Sequence, residues 1–365
     1  MKVLHVITSL GSGGAEILIK ESLPIMKSKG IDTDLLVLSS KNNILEDELK
    51  SKGINVYKTG VDKIYSPKQA FKIREYINKY DIVHTHLVQG QYWTAFAKML
   101  SNSKTPLVTT EHSTSNNRRK HKLFKISDKI VYNKHNKIIC ISKAANENLV
   151  EWMPSIKSKV TTIYNGINLG KFEDISAYSR KELLKEVENP KDLNLILMVG
   201  RLSKPKDHKT LIRALQRLPE KFHLIFIGTG SLEDDLISLS KELGLSHRVH
   251  FLGYRNDINR IMKTVDIYVQ SSYWEGFGIA ALEAMASGIP VIASDVPGLS
   301  EVVKGGGVLF PKGDFNFLAN IIEEICISEK RYTDIAKRCK LKSEKFSIEE
   351  MINQYINIYI DLSNI

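Results

Sequence analysis

The feature that most constrains the fold of this chain is a regular alternation of short apolar runs with longer amphipathic segments. The first run, Lys2–Ile7, is followed by a glycine-rich turn and a helical segment that reaches about Lys29, and similar pairs continue to Val160–Tyr164. A second series starts at Leu195–Val199 and ends near Gly307–Phe310. Short apolar runs with helices between them are typical of parallel strands joined by crossover helices. The sequence therefore predicts an α/β protein with two doubly wound parallel sheets.

The chain is also long enough for two domains. Its 365 residues are more than one hydrophobic core usually serves. A turn at Asn165–Asn168 separates the two series, and Met351, Tyr355 and Tyr359 give the last segment a helical spacing. We predict a first domain over residues 1–168, a second over 169–345 and a terminal helix over 346–365.

A stretch with a glutamate at each end, Glu275–Glu283, lies in the second series. It follows the apolar run Asp266–Gln270, which predicts a buried strand, and it leads into helix-forming residues that stop before Gly288. Glu275 is thus expected at the carboxyl end of a parallel strand, where open α/β sheets bind ligands. Glu283 is expected about two helical turns further on. Glycines allow this turn to approach a ligand closely, and the helix N-terminus favours an anion.

Two cations follow the first strand of the second series. Arg201 and Lys206 lie in the segment Gly200–Asp207, before a predicted helix. Arginine can bind a diphosphate through two parallel hydrogen bonds, and lysine adds a point charge. The segment therefore suits a phosphorylated ligand, and a solvated basic loop is the alternative interpretation.

These stretches resemble the retaining glycosyltransferases of family four, which have the GT-B architecture. The likeness lies in EGFGIAALEAMASGIPVIAS, in the Gly200–Lys206 segment and in the early stretch GGAE, and it extends over nearly the whole chain. This chain has Asp207 at a position where glycine is common in the family. The resemblance implies two Rossmann-like domains facing a cleft, with the last helix crossing back to the first domain.

The resemblance also implies roles for individual residues. Glu275 would contact the hydroxyls of the donor sugar, and Glu283 would bind the ribose hydroxyls. Arg201 and Lys206 would stabilise charge on the departing diphosphate. His112, at the end of a predicted strand, would face the donor, although a hydrogen-bonded structural histidine is the alternative. The implied catalytic residues are Glu275, His112, Arg201 and Lys206, and the implied donor-binding residues are Gly14, Arg201, Lys206, Tyr254, Glu275, Gly276, Phe277, Gly278, Ile279 and Glu283.

The sequence gives little reason to expect a metal ion or a cofactor. The acidic pair Asp32 and Asp34 precedes a strand, on the edge opposite the ligand side. His84 and His86 have no carboxylate or cysteine at a ligand spacing, and we interpret them as loop histidines lining the cleft. The three cysteines are far apart and odd in number, which predicts free thiols. We expect neither a metal nor another cofactor.

The net charge of +11 is confined to the first half of the chain. Residues 1–170 carry 26 Lys and Arg against 14 Asp and Glu, whereas the remainder carries 26 against 27. The charge is densest at Arg118–Lys137, where Leu123, Ile126 and Ile130 predict an amphipathic helix whose apolar stripe faces the core. Its cationic face suits anionic lipid headgroups or another acidic partner.

The expected function is transfer of a hexose or N-acetylhexosamine, with retention, from a nucleoside-diphosphate sugar (UDP favoured) to a glycan or polyprenyl-diphosphate-linked acceptor in bacterial surface polysaccharide synthesis. The expected location is the cytoplasm, peripheral on the inner face of the cell membrane. A nucleotide-sugar epimerase would need an acid/base pair that the sequence does not identify. A nucleic-acid-binding protein would need aromatic residues among the basic ones. A dehydrogenase is disfavoured because it would not explain Glu275 and Glu283, and because Glu16 takes the place of the third fingerprint glycine.

Overall fold

The computed structural model describes every residue except 12, 40, 42, 115–118, 120, 122–123, 188–189 and 364–365. It divides into two compact units. Unit 1 comprises Met1–Gly166 together with Ile348–Ile365, and unit 2 comprises Ile167–Ser347.

Unit 1 is built on a seven-stranded parallel sheet with the order β3-β2-β1-β4-β5-β6-β7. Consecutive strands run outward from β1 in both directions, as in a doubly wound sheet. The strands are β1 (Lys2–Ile7), β2 (Asp32–Val37), β3 (Asn55–Lys58), β4 (Ile82–His86), β5 (Leu107–Glu111), β6 (Lys137–Cys140) and β7 (Val160–Thr162). The helices are α1 (Gly14–Ser28), α2 (Glu46–Ser51), α3 (Lys68–Ile77), α4 (Leu87–Ser101), α5 (Phe124–Lys134), α6 (Lys143–Trp152) and the last helix of the chain, α15 (Ile348–Ser363).

The last helix belongs to the core of unit 1. Its residues Ile348, Met351, Ile352, Tyr355 and Tyr359 are buried in one cluster with residues of β1 and α1. The helical spacing of these apolar residues places them on one face, and that face is covered by the sheet. The predicted return of the terminal helix to the first domain is therefore confirmed.

Unit 2 is built on a six-stranded parallel sheet with the order β10-β9-β8-β11-β12-β13. The predicted doubly wound arrangement is thus present in both halves. The strands are β8 (Asn194–Val199), β9 (Phe222–Ile227), β10 (Val249–Phe251), β11 (Ile267–Gln270), β12 (Val291–Ser294) and β13 (Val308–Phe310). The helices are α7 (Arg180–Leu183), α8 (His208–Leu215), α9 (Glu233–Glu242), α10 (Ile258–Met262), α11 (Ile279–Ala286), α12 (Leu299–Val303), α13 (Phe315–Ile327) and α14 (Glu329–Ser343).

Helix α5 corrects the prediction for the basic segment. The buried side of the helix is formed by Asp128, Val131 and Tyr132, while Ile126 and Ile130 are 68% and 43% exposed. This side can include the polar groups of Asp128 and Tyr132 because they find partners there: Asp128 accepts a hydrogen bond from Trp152, for example. The expectation that the apolar stripe faces the core was wrong. Arg118, Lys120, Lys122 and Leu123 lie outside the described residues.

Arg119 is a second correction within this segment. Its side chain is 11% exposed and lies 3.3 Å from the carboxylate of Glu111, so its charge is balanced inside unit 1 and does not add to an outer cationic face. Among the described residues, no helix combines the length and the apolar character needed to cross a bilayer.

Candidate functional site

The carboxyl edge of the unit 2 sheet brings together Glu275, Lys206 and the start of α11. Nζ of Lys206 lies 2.5 Å from Oε2 of Glu275. The two side chains are 23% and 16% exposed, so the pair is partly shielded from water. Lys206 ends the short 3-10 helix Lys204–Lys206 that follows β8, and Glu275 lies on the loop after β11. Since β8 and β11 are neighbours in the sheet, residues 69 positions apart meet at one edge.

A chain of polar side chains leads from inside the sheet to Glu275. Tyr268 donates a hydrogen bond to Oε1 of Gln270 (2.5 Å), and Gln270 donates to Ser272 (2.8 Å). Ser272 then donates to Oε2 of Glu275 (3.3 Å). Burial, followed by the nearby charges of Glu275 and Glu283, holds the pKa of the Tyr268 phenol well above its ordinary value. Both carboxylates of the predicted motif therefore lie near the same buried hydroxyl.

Two glycines make the turn around Glu275 possible. Gly278, the residue before α11, has φ 94°, a conformation that favours glycine, and a Cβ there would lie 2.6 Å from Leu299. Gly298 has φ 84°, and a Cβ on it would lie 2.5 Å from the backbone oxygen of Glu275. The absence of a side chain at Gly298 thus allows the β12–α12 loop to pack closely against the backbone of the Glu275 turn. Gly278 is part of the predicted Glu275–Glu283 motif, whereas Gly298 lies outside it and was not predicted.

The other predicted donor-binding residues of unit 2 differ in how their side chains are placed. Arg201 and Tyr254 are exposed, the latter by 55%. Phe277 is 2% exposed and packs edge-on against Phe346 at 5.6 Å between ring centroids, so its side chain belongs to the core. Gly276 continues the turn and Ile279 begins α11. Trp274, which precedes Glu275, is 47% exposed. The sequence-based prediction of the site did not include it, although a large aromatic residue next to a glycine turn was a signal that could have identified it.

In unit 1, Gly14 is the first residue of α1, so it lies at a helix N-terminus that follows β1. Its neighbour Gly13 makes room for an acid: a Cβ there would lie 2.5 Å from Oε2 of Glu16. A helix N-terminus at the carboxyl edge of a parallel sheet favours an anionic ligand. This position is consistent with the predicted role of Gly14 near a diphosphate.

His112 follows β5 and contacts another buried histidine. Its Nε2 lies 3.2 Å from Nδ1 of His86, and Nε2 of His86 lies 3.0 Å from Nδ1 of His5. Burial lowers the pKa of His112 to about 4 and that of His5 to about 3. The imidazoles are therefore neutral at physiological pH.

His84 and His86 correct the loop interpretation. Both belong to β4 and are buried, with exposed fractions of 0% and 2%. Nδ1 of His84 lies 2.6 Å from the hydroxyl of Tyr359 and its Nε2 lies 2.8 Å from Thr110. Sequence reasoning missed the proximity of His5 because strand order, which makes β1 the neighbour of β4, is not visible in the chain.

Ring nitrogens of His5, His84 and His86 lie within 4.8 Å of one another, a spacing that can admit a metal ion. In this structure both nitrogens of His84 and of His86 and Nδ1 of His5 already have hydrogen-bond partners, which are Tyr359, Thr110, His112 and the paired nitrogens of His5 and His86. We therefore interpret the group as a hydrogen-bonded cluster. The acidic pair Asp32 and Asp34 lies at the amino end of β2, and Asp34 accepts hydrogen bonds from Asn55 (2.8 Å) and Tyr80 (2.6 Å).

Comparisons with known proteins identify the family to which this chain belongs. The family model "Glycosyltransferase Family 4" matches residues 12–171, and "Glycosyl transferases group 1" matches residues 179–342. An uncharacterised glycosyltransferase of Methanocaldococcus jannaschii is 30% identical over 297 residues, which cover 78% of this chain and 76% of that protein. The chain belongs to the family 4, group 1 glycosyltransferases. The two family models correspond to the two units, and the glutamate motif lies within the second.

Further family members are similar over most of their length. A Campylobacter jejuni protein named N-acetylgalactosamine-N,N'-diacetylbacillosaminyl-diphospho-undecaprenol 4-alpha-N-acetylgalactosaminyltransferase is 29% identical over 330 residues, covering 87% of this chain and 86% of its own. The crystal structure of Anabaena HepE with UDP and glucose has a TM-score of 0.88 at 23% identity, covering 99% of this chain and 100% of that one. The GT-B fold predicted from the sequence is confirmed.

Proposed function

We propose that this glycosyltransferase moves a hexose or N-acetylhexosamine from a UDP-sugar to a glycan or polyprenyl-diphosphate-linked acceptor, with retention and without a metal ion. The observation that carries the proposal is the Lys206–Glu275 pair at the carboxyl edge of the unit 2 sheet, with Arg201 exposed on the same loop as Lys206. The Campylobacter relative is named for a diphospho-undecaprenol acceptor, and HepE was solved with UDP.

The chemistry assigns one task to each group. The bond between the anomeric carbon and the diphosphate oxygen breaks, and the acceptor oxygen bonds to that carbon from the same face. The acceptor proton passes to the departing phosphate. Arg201 and Lys206 stabilise the charge that develops on the diphosphate, Glu275 binds hydroxyls of the sugar, and Glu283 binds the ribose. Gly14 brings the N-terminus of α1 to an anionic group.

The proposed independence from metal is supported by the same groups. Lys206 and Arg201 supply positive charge where a divalent ion would otherwise act. The acidic pair that could imitate a metal motif lies at the opposite edge, and Asp34 is bonded to Asn55 and Tyr80.

The test is a transfer assay with UDP-glucose, UDP-galactose and their N-acetylhexosamine counterparts, using a polyprenyl-diphosphate-linked sugar as acceptor. We expect transfer with one of these donors, unchanged in excess EDTA, and an axial anomeric linkage when the donor is axial. Activity that is lost in EDTA and returns with Mn²⁺ or Mg²⁺ would refute metal independence. An inverted anomeric centre would refute retention.

We also propose that unit 1 meets an anionic membrane through α5, which would place the enzyme on the inner face of the cell membrane beside a lipid-linked acceptor. Lys125, Lys129 and Lys134 are exposed on this helix, together with Ile126 and Ile130. Cationic and apolar side chains on one exposed helix are suited to the headgroup region.

A further inference from the structure

The buried histidines of unit 1 are arranged by the sheet into a short chain. His5 in β1 is paired in register with His84 in β4, and His86 is two residues further along the same face. His112 comes directly after β5, the next strand. Two neighbouring strands, together with the residue that follows a third, therefore bring imidazoles side by side, and the series ends at the carboxyl edge of the sheet.

Only three of the four histidines form the chain. Nδ1 of His5 lies 3.0 Å from Nε2 of His86, and Nδ1 of His86 lies 3.2 Å from Nε2 of His112. His84 bonds instead to Tyr359 and Thr110, so both of its nitrogens are engaged elsewhere. The far end of the chain, Nε2 of His5, is buried and has no hydrogen-bond partner among the residues that the structure describes.

A chain of neutral imidazoles has only two proton arrangements. Each neutral ring carries one N–H, and each contact needs one donor and one acceptor. In the first arrangement the protons are on Nδ1 of His5, His86 and His112, so the nitrogen of His112 that is not used within the chain carries an N–H. In the second the protons are on the Nε2 atoms, and that nitrogen of His112 carries a lone pair. His112 and His5 must therefore have the same tautomer.

The unpartnered Nε2 of His5 selects the first arrangement. In the second arrangement this atom would carry a buried N–H with no acceptor, a rare situation in folded proteins. In the first arrangement it carries a lone pair, which is more often left without a partner. The chain therefore favours Nδ1–H on all three rings.

The connection between β4 and α4 is strained directly after the residue that carries the middle ring. His86 is the last residue of the strand, and Leu87, the first of the helix, has φ 63°. A positive φ at a leucine is strained and persists only where its surroundings impose it. The strain lies next to the residue that aims at His112.

We propose that His86 and His5 are positioning residues that hold His112 as its Nδ1–H tautomer, so that His112 presents a fixed hydrogen-bond donor to an oxygen of a ligand bound at the carboxyl edge of the unit 1 sheet. The proposal rests on the proposed function for the identity of the ligand. His112 acts as a fixed neutral donor and transfers no proton. Through His86, a residue on β1 sets the hydrogen-bonding character of a side chain two strands away.

The experiment is long-range ¹H–¹⁵N NMR on the full chain labelled at histidine, with the His112 signal assigned through His112→Gln. We expect the wild type to show the Nδ1–H tautomer at His112. His86→Phe removes both contacts at similar volume, so the signal should move toward the Nε2–H form or a mixture. His5→Phe should move it in the same direction, although His5 does not touch His112.

Kinetics and a matched control separate positioning from packing. His86→Phe should lower kcat/KM roughly tenfold, about 1.4 kcal/mol at the transition state. His135 is equally buried, but it contacts Val131 and Thr85, and the side chain of Thr85 lies on the opposite face of β4 from His84 and His86. His135→Gln should leave the His112 tautomer and kcat/KM unchanged.

The proposal fails if wild-type His112 is the Nε2–H tautomer, or if neither His86→Phe nor His5→Phe alters it. The NMR measurement needs no substrate, so its result is independent of the proposed function. Absence of sugar transfer from every UDP-sugar would refute the function while leaving the tautomer result standing.

Discussion

Asp207 shows how a departure from the family pattern is accommodated at a single residue. Its φ of 52° and ψ of 50° are left-handed, which explains why glycine is common at this position. Aspartate is among the residues that tolerate this conformation. Thr210 donates to its carboxylate at 2.6 Å, and Asp207 is 4% exposed. The Lys204–Lys206 turn that carries Lys206 is therefore retained without glycine.

The two glutamates of the motif should respond differently to substitution. Glu275→Gln should lower kcat far more than it weakens UDP binding, because Glu275 is assigned to the reacting sugar. Glu283→Ala should weaken UDP binding by roughly 10- to 100-fold, the effect of one charged hydrogen bond of about 1.5–3 kcal/mol. Calorimetry with UDP and steady-state kinetics measure the two effects.

The control for this pair is Glu242→Ala, an exposed glutamate at the end of α9 in the same unit. It should change neither quantity. Equal losses of UDP affinity in both site variants would contradict the separate roles of Glu275 and Glu283.

At the scale of elements, β11 is a buried strand that also carries hydrogen-bonded polar side chains. The run is buried as predicted, yet Tyr268 and Gln270 within it and Ser272, two residues further on, bond to one another. The period of two in these polar residues was the available signal, because alternate residues of a strand lie on one face. That face leads to Glu275.

Helix α5 gives the prediction at this scale. Full-length protein should sediment with phosphatidylglycerol vesicles at low salt and be released as salt rises, because the Debye length falls to about 8 Å at physiological ionic strength. Changing Lys125, Lys129 and Lys134 to Ser should abolish sedimentation.

The matched control changes three exposed lysines of α14, Lys330, Lys337 and Lys340, to Ser. This variant has the same net charge as the α5 variant and should still sediment. If the two variants lose binding equally, the interaction depends on overall charge, and α5 is not the docking surface.

At the scale of the whole molecule, buried histidines should make stability depend on pH. Burial lowers the folded pKa values of His5, His84, His86, His112 and His135 below 6.5. Below pH 6.5 the unfolded chain binds protons at these histidines and the folded chain does not. The free energy of unfolding is therefore highest above pH 6.5 and falls as the pH decreases. Each histidine should contribute on the order of 1 kcal/mol per pH unit.

Calorimetric unfolding at pH 7.5, 6.5 and 5.5 measures this dependence. The thermal midpoint should change little between the first two values and fall clearly at pH 5.5. His135→Gln removes one such proton, so its midpoint should fall less steeply. A wild-type midpoint that stays constant down to pH 5.5 would show that these histidines are not neutral and buried in solution.

The sequence by itself determined the features that are local in the chain. Apolar runs and helical spacings predicted most strands and long helices, and the predicted bounds of β1, Lys2–Ile7, are the observed ones. Local spacing also identified the Glu275 turn, because strand, glycine and helix are consecutive there. The short helix α2 was missed, since its six residues make fewer than two turns and no extended pattern.

Only the tertiary structure decided which distant residues meet. The pairing of Lys206 with Glu275 and the chain from His5 to His112 both require the order of strands in a sheet, which local periodicity does not contain. Tertiary structure also decided which side of α5 is buried. The energy of satisfying Asp128 and Tyr132 inside the unit outweighed the exposure of Ile126 and Ile130, a balance that depends on partners from other elements.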